Sequence, residues 1–341
     1  MSVDVALDMR MTRRMSFGMR AYAEQLARHL PAVAPDLSVV PLHGGANLGF
    51  DEQVLLPLRV GRMRPRLTHY TTIFAPLLAP RPYVMMIHDL IHVAHPEFYG
   101  RSVALYYATV ARRLAQRAGL LVMGDERTVE QCERYLGVSR DRCRVTPLGY
   151  DPYLASATTA ERGARPFFLY SGNLRPHKNV ATLIAAWSSL ADDVEVDLYI
   201  TGTDAAAPHF ARFERGNRKL VELGTVSEER LWRLYRGALA YVHPALAEGF
   251  GLPMLEAMAA GTPVIAAREC VSSVVRGGAA LFDARDTEAL RALLADVARG
   301  SQLWRERAAR GKERVQPYTW ERFAMSTADV YREILDRPGN R

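Results

Sequence analysis

The stretch His243-Pro244-Ala245-Leu246-Ala247-Glu248-Gly249-Phe250-Gly251-Leu252-Pro253-Met254-Leu255-Glu256-Ala257-Met258-Ala259-Ala260-Gly261-Thr262-Pro263-Val264-Ile265-Ala266 decides the fold. The apolar run Ala238 to Val242 leads into it and reads as a buried strand. Gly249 and Gly251 bracket Phe250, which predicts a tight turn whose backbone approaches a ligand without a Cβ in the way. Pro253 suits the first turn of a helix, where its missing N–H costs nothing. That helix is expected to run to about Gly261, a C-cap glycine, and Pro263-Val264-Ile265 opens the next strand.

Backbone N–H groups at such a helix start carry partial positive charge and suit a diphosphate. Glu248 and Glu256 sit in the same place, and a carboxylate beside phosphate is electrostatically awkward. Sugar hydroxyls are the natural ligands for them, because one ionised carboxylate accepts two at once. Taken alone, Glu256 would only complement a helix dipole and Glu248 would be a solvated loop charge. The pair together with the glycine turn points to a carbohydrate.

A second glycine turn stands upstream. The strand Phe167 to Tyr170 ends in Ser171-Gly172-Asn173-Leu174-Arg175-Pro176-His177-Lys178-Asn179, ahead of a helix expected over Asn179 to Leu190. Arg175 can clamp phosphate oxygens bidentately and Lys178 adds a point charge. The chain has only three lysines (Lys178, Lys219 and Lys312), so one at this turn is not casual surface filler. In the first half, the apolar strand Tyr83 to Ile87 delivers His88-Asp89 at its carboxyl end, where doubly wound sheets bind ligands. By itself His88 could equally be a satisfied structural residue and Asp89 a cap.

Glu248-Gly249-Phe250-Gly251-Leu252-Pro253 followed by Glu256-Ala257-Met258-Ala259 resembles the paired-glutamate signature of retaining nucleotide-sugar glycosyltransferases with the GT-B fold, family 4. The resemblance implies an α/β fold of two doubly wound Rossmann-like parallel-sheet domains facing across a cleft. It implies that His88, Arg175, Lys178 and Glu248 serve catalysis. Gly18, Gly172, Asn173, Gly249, Phe250, Gly251, Leu252 and Glu256 would hold the donor, with Glu248 on its sugar and Glu256 on its ribose. Asp89, Arg13 and Arg14 are the acceptor-side candidates. No metal or other cofactor is implied, since fixed cations can take the place of a divalent ion. The likeness to polysaccharide mannosyltransferases favours GDP-mannose as donor, with UDP-sugars as the alternative. A hydrolysing UDP-sugar epimerase fits the glutamate pair poorly, and a non-catalytic sugar-nucleotide-binding protein is the reading from another class. Ala245, Gly124-Asp125-Glu126 and Val274-Val275 depart from the family pattern, the last where an acidic residue often stands.

The rest of the chain agrees with two α/β bodies. Its 341 residues exceed one ordinary core. Strand and helix patterns alternate throughout, from Val3–Asp8 and a helix to about Leu30 onward. The expected division is 1–150 as the acceptor-side domain, 151–165 as a linker and 166–318 as the nucleotide-sugar domain. Residues 319–341 would form a helix crossing back to the first domain. A long helix is expected from about Glu97 to Ala118. No apolar run approaches the ~20 residues of a membrane span and no secretory leader is visible. Cys132, Cys143 and Cys270 make no disulfide or metal framework, which points to the cytoplasm.

The formal charge of +7 is lopsided. Residues 1–150 hold 19 Arg, no Lys and 13 Asp plus Glu, so nearly all the excess lies there. Arg10, Arg13, Arg14 and Arg20, then Arg59, Arg62, Arg64 and Arg66, form two clusters that favour an anionic membrane surface or a polyprenyl-diphosphate-linked acceptor. Solvated surface arginines are the plainer reading. No nucleic-acid module accompanies them, so nucleic acid is not expected as a partner.

Overall fold

The computed structural model describes residues 3–10, 16–44, 49–202, 214–215 and 218–337. The chain divides into two units, Met1–Gly149 with Tyr318–Arg341, and Tyr150–Pro317. Each is a parallel sheet flanked by helices.

In the first unit the strands are β1 (Val5–Asp8), β2 (Val39–Leu42), β3 (Leu67–Tyr70), β4 (Tyr83–Met86), β5 (Leu120–Met123) and β6 (Cys143–Val145). They lie in the order β2-β1-β3-β4-β5-β6, all parallel. All four residues of β1, β3, β4 and β5 are buried, as strands covered on both faces require. The helix Trp320–Leu335 comes last in sequence yet belongs here. Trp320, Phe323, Ala324, Thr327, Ala328, Tyr331, Ile334 and Leu335 recur at helical spacing and are all buried. It packs against the helix Phe17–Val33. Between them lies a buried polar thread: His69 Nδ1 is 2.6 Å from the Tyr331 hydroxyl and its Nε2 is 3.2 Å from the Tyr22 hydroxyl. Burial pulls the His69 imidazole down to a pKa of about 3, so the ring is neutral and acts as structural cement.

The second unit has β7 (Phe167–Ser171), β8 (Asp197–Thr201), β9 (Glu214–Arg215), β10 (Arg218–Gly224), β11 (Ala240–His243), β12 (Val264–Ala267) and β13 (Ala280–Phe282). Their order is β13-β12-β11-β7-β8-β10-β9, parallel except for the short edge pair β9 and β10. The central neighbours β7 and β11 therefore bring both glycine turns to one edge of the sheet.

Several expectations need correction. Residues 151–165 are not a bare linker. Asp151 accepts N–H bonds from Tyr153 and Leu154 and caps a helix Pro152–Ala157. Arg236 then binds the Ala155 carbonyl at 2.6 Å and the Arg233 carbonyl accepts the Glu161 N–H, so the segment is docked on the helix Glu228–Gly237. The long helix expected from Glu97 begins only at Arg101, because a separate turn, Pro96–Phe98, ends before the extended Gly100. It also widens at Tyr107–Ala111 before closing at Arg117. Arg10 is no solvated surface charge. It is 6% exposed and its guanidinium grips Asp8 at 2.8 Å, with Glu52 at 3.7 Å.

Candidate functional site

The site grows from the ends of β7 and β11. After β7, Gly172 turns with φ +151, and its N–H bonds to the Thr201 carbonyl at the end of β8. A Cβ on nearby Gly202, at φ +104, would be driven into the Gly172 carbonyl, so the two strand ends touch backbone to backbone. The Tyr170 hydroxyl donates to the Asn173 carbonyl at 2.7 Å, and the Asn173 side chain accepts the Arg175 N–H at 3.3 Å. A single tight turn, Pro176–Lys178, follows. Asn179 then takes a left-handed conformation, φ 54, and ties the turn down. Its side-chain N–H bonds reach the Pro244 carbonyl at 3.1 Å and the Ala284 carbonyl at 2.8 Å. The Leu246 N–H adds a bond to the His177 carbonyl at 2.8 Å. The lysine turn and the glutamate turn are thus one body.

At its centre, Lys178 Nζ lies 2.5 Å from Glu248 Oε2, and His243 Nε2 is 2.9 Å from the same oxygen. The Tyr241 hydroxyl stands 2.9 Å from His243 Nδ1 and 3.0 Å from the Ser171 carbonyl. Burial pushes the Glu248 carboxyl up, but the Lys178 charge and the bonds from His243 and Lys178 overcome it and hold the group well below the usual carboxylate range. Burial lowers the His243 imidazole against the pull of Glu248. A neutral His243 donates through Nε2 to Glu248, while the Tyr241 hydroxyl beside Nδ1 gives its proton to the Ser171 carbonyl. Glu248 remains half-buried, with its ionised carboxylate fixed in direction. One ammonium proton of Lys178 is spent on it and two others are available to an anion.

Gly251, at φ +86, precedes the helix Leu252–Ala259, with Pro253 in its first turn. Met254 N–H bonds back to the Gly251 carbonyl at 3.0 Å. Phe250 and Leu252 are buried, so the turn is anchored by apolar packing and its backbone defines the surface. Glu256 lies deeper, 6% exposed, and accepts a bond from the Tyr235 hydroxyl at 3.0 Å. Burial raises its pKa to about 8, so the acid is mostly protonated at neutral pH without a ligand.

Of the expected residues, Gly172, Asn173, Arg175, Lys178, Glu248, Gly249, Phe250, Gly251, Leu252 and Glu256 all lie in the second unit, on these two turns and the helix behind them. Arg175 is exposed at the head of the lysine turn. His243, Tyr241, Tyr235 and Asn179 were not singled out, although each orients a group that was. His243 stood in plain view five residues before Glu248.

His88, Asp89 and Gly18 belong to the first unit. His88 Nε2 donates to the Thr71 carbonyl at 2.9 Å, which leaves Nδ1 as the accepting nitrogen, and burial lowers its pKa to about 4. The ring is a neutral acceptor at pH 7. Asp89 Oδ1 accepts the Ile91 N–H at 3.1 Å, in the turn that leads into the short helix Ile91–Ala94, whose cap position is Leu90. Gly18 does not sit in a loop: the helix starts at Phe17 and its first turn is closed by the Arg20 N–H on the Ser16 carbonyl. Arg13 and Arg14 lie outside the described residues. Among the described residues no three His, Cys, Asp or Glu side chains converge in a metal-binding arrangement.

Two parallel-sheet α/β units, with a lysine turn and a paired-glutamate turn joined at one sheet edge, define a GT-B glycosyltransferase of the family 4 type. The family profile described as "Glycosyl transferases group 1" matches residues 155–314, and that stretch is a group 1 glycosyl transferase domain. The chain is 28% identical to the O-antigen chain mannosyltransferase B of Escherichia coli over 73% of its length and 70% of the relative's. It is 27% identical to the MMP alpha-(1->4)-mannosyltransferase of Mycolicibacterium hassiacum, over 68% of this chain and 58% of that one. The fold matches Anabaena Alr3699/HepE, solved in complex with UDP-glucose, with TM-score 0.75 and 16% identity over 97% and 99% of the two chains. WaaG, a glycosyltransferase involved in lipopolysaccharide biosynthesis, matches with TM-score 0.71 and 16% identity over 96% and 99%.

Proposed function

We propose that the protein moves a hexosyl group, α-mannosyl from GDP-mannose, to a hydroxyl of a glycan or lipid-linked saccharide in cell-surface polysaccharide synthesis, with retention at the anomeric carbon. The observation that carries this reading is the Lys178–Glu248–His243 cluster between the two glycine turns. It presents a cation for the departing diphosphate and, 2.5 Å away, a carboxylate of fixed direction for sugar hydroxyls. Mannosyltransferases among the relatives support the choice of sugar.

In the step, the bond from the anomeric carbon to the diphosphate breaks and its electron pair stays on the diphosphate. Arg175, Lys178 and the N–H groups around Gly251 stabilise that charge. The acceptor oxygen forms the new bond on the same face and passes its proton to a leaving phosphate oxygen. Glu248 holds donor hydroxyls, Glu256 the ribose, and the neutral His88 ring accepts at Nδ1. The cations carry the electrostatic load, so turnover is expected to survive a chelator. The work is assigned to the cytoplasm, at the inner membrane face where a lipid-linked acceptor sits.

A UDP-sugar donor is the second reading, favoured by the UDP-glucose complex of the Anabaena relative in fold. A thermal-shift panel of GDP- and UDP-sugars decides between them, because the true donor raises apparent stability by mass action. Release of nucleoside diphosphate with an acceptor present then separates an enzyme from a protein that only binds donor. Lys178→Ala and Glu248→Ala should each lower turnover at least ~100-fold. Near-wild-type rates in both would remove the site.

A further inference from the structure

The second unit carries a pocket at the end of its sheet away from the two glycine turns. Those turns follow the carboxyl ends of β7 and β11. Leu239 and Pro263, which stand just before β11 and β12, instead line an open pocket of about 570 Å³ at the amino ends. The four-residue strands between set the two places about 13 Å apart along the sheet.

The outer wall of the pocket is the helix Gln302–Val315. Trp304, Arg305, Ala308, Ala309 and Lys312 recur at helical spacing on the face turned to it. Trp304 is buried and its indole N–H donates to Asp296 at 2.8 Å, so part of the wall is a fixed aromatic ring. Ala308 and Ala309 add little bulk, and the wall leaves space over Val297 and Leu239.

The polar groups here suit an anion. Arg305 and Lys312 are exposed cations, and among the described residues no carboxylate lines the pocket. The stem of Lys312 lies against Gly261, its Cδ 3.8 Å from where a Cβ would stand, which keeps the ammonium at the rim. Ser301 lines the pocket at the start of the helix, four residues before Arg305. Its hydroxyl does not cap the helix; the oxygen is shut off from solvent and has no hydrogen-bond partner among the described residues. A buried hydroxyl is rarely left so in a folded protein. The first turn also holds no acidic residue, so the positive end of the helix has no carboxylate of its own.

We propose that this pocket binds a small amphipathic anion, an aliphatic or aromatic body bearing one carboxylate or sulfonate. The acidic group meets Arg305 and the Ser301 hydroxyl, the body lies on Trp304, Ala308 and Val297, and Lys312 adds its attraction at the far rim. A bare phosphate would leave the apolar lining in water. No group of the transfer site takes part, so this site stands or falls apart from the proposed function.

The test uses the full chain with 8-anilinonaphthalene-1-sulfonate as the probe. Its emission is read on tryptophan excitation, which selects probe seated near an indole such as Trp304. Octanoate should displace it, whereas 1-octanol at the same concentration and inorganic phosphate at the same ionic strength should not. Arg305→Glu with Lys312→Glu should weaken octanoate-displaceable binding at least about tenfold, the combined effect of two reversed charge contacts. Both side chains are exposed, so the reversal leaves the packing intact. Ala308→Phe keeps every charge but fills the pocket, and should abolish the displaceable signal. Displacement by octanol as strong as by octanoate, wild-type affinity in either variant, or a dimer that Ala308→Phe dissolves would overturn the proposal.

Discussion

Glu256→Gln should make the protein more stable, and increasingly so as pH rises. The carboxyl is buried, with the Tyr235 hydroxyl 3.0 Å away, and burial raises its pKa from 4.5 to about 8. Below pH 4.5 the group is protonated in folded and unfolded chains alike and costs nothing. Between pH 4.5 and 8 the unfolded chain has released a proton that the folded chain still binds, so wild-type stability falls as pH rises. The loss levels off above pH 8. At 1.36 kcal/mol for each pH unit it reaches about 3 kcal/mol at pH 7 and on the order of 5 kcal/mol at the plateau. A glutamine has no proton to release and its amide oxygen can still accept from Tyr235, so it escapes this loss. For a unit of this size each kcal/mol is about 2–4 °C of melting temperature, giving a gain of about 6–12 °C at pH 7. Calorimetric melts of both proteins across this range measure it. A gap between the two that stays constant with pH would refute the burial argument. On the proposed role of Glu256 as acceptor for two ribose hydroxyls, donor binding favours its ionised form, so wild-type nucleotide affinity should climb toward pH 8 and that of the glutamine variant should stay flat and weak.

Other outcomes follow from the same geometry. Lys178→Met leaves Glu248 with His243 as its remaining strong partner and should cost about 1–3 kcal/mol, discounted for the pair's partial exposure. In the wild type the depressed Glu248 carboxyl contributes stability above its ordinary pKa of 4.5 that is lost on acidification, and acid titration of the variant should show less of that loss. Tyr331→Phe strips the buried His69 of a partner at 2.6 Å and should lower the first unit's stability by about 1–3 kcal/mol in denaturant titration. Gly149→Ala would push a Cβ into the Thr319 and Trp320 backbone, so the last helix should loosen and be cut early in limited proteolysis. An unchanged digestion pattern would show that the close approach relaxes cheaply.

What could be read from the sequence was chemistry carried by contiguous residues. The two glycine turns, the paired glutamates and Lys178 lie in short stretches, and alternating apolar strands announced both sheets. Partnerships across the fold were not legible. Nothing local says that His243 and Lys178 meet on one oxygen of Glu248, 5 and 70 residues away from it respectively. Asn179 reads as the residue that starts a helix, and only the structure shows it fastening the ends of β11 and β13. The segment after Tyr150 looked like a linker because Ala and Thr carry little periodic signal, whereas Asp151 and Pro152 form a standard helix start. Counting Arg10 as surface charge ignored Asp8 two residues earlier.

The helix Trp320–Leu335 sets the order in which the protein matures on the ribosome. Residues 150–317 are one continuous stretch, and their sheet is complete as soon as they are released. Residues 3–149 emerge earlier but lack a wall: Tyr22 and His69 have no Phe323 or Tyr331 to close against until residues 320–335 have been made. The unit at the amino end is thus the later of the two to finish, and its apolar surface stays open to chaperones throughout synthesis.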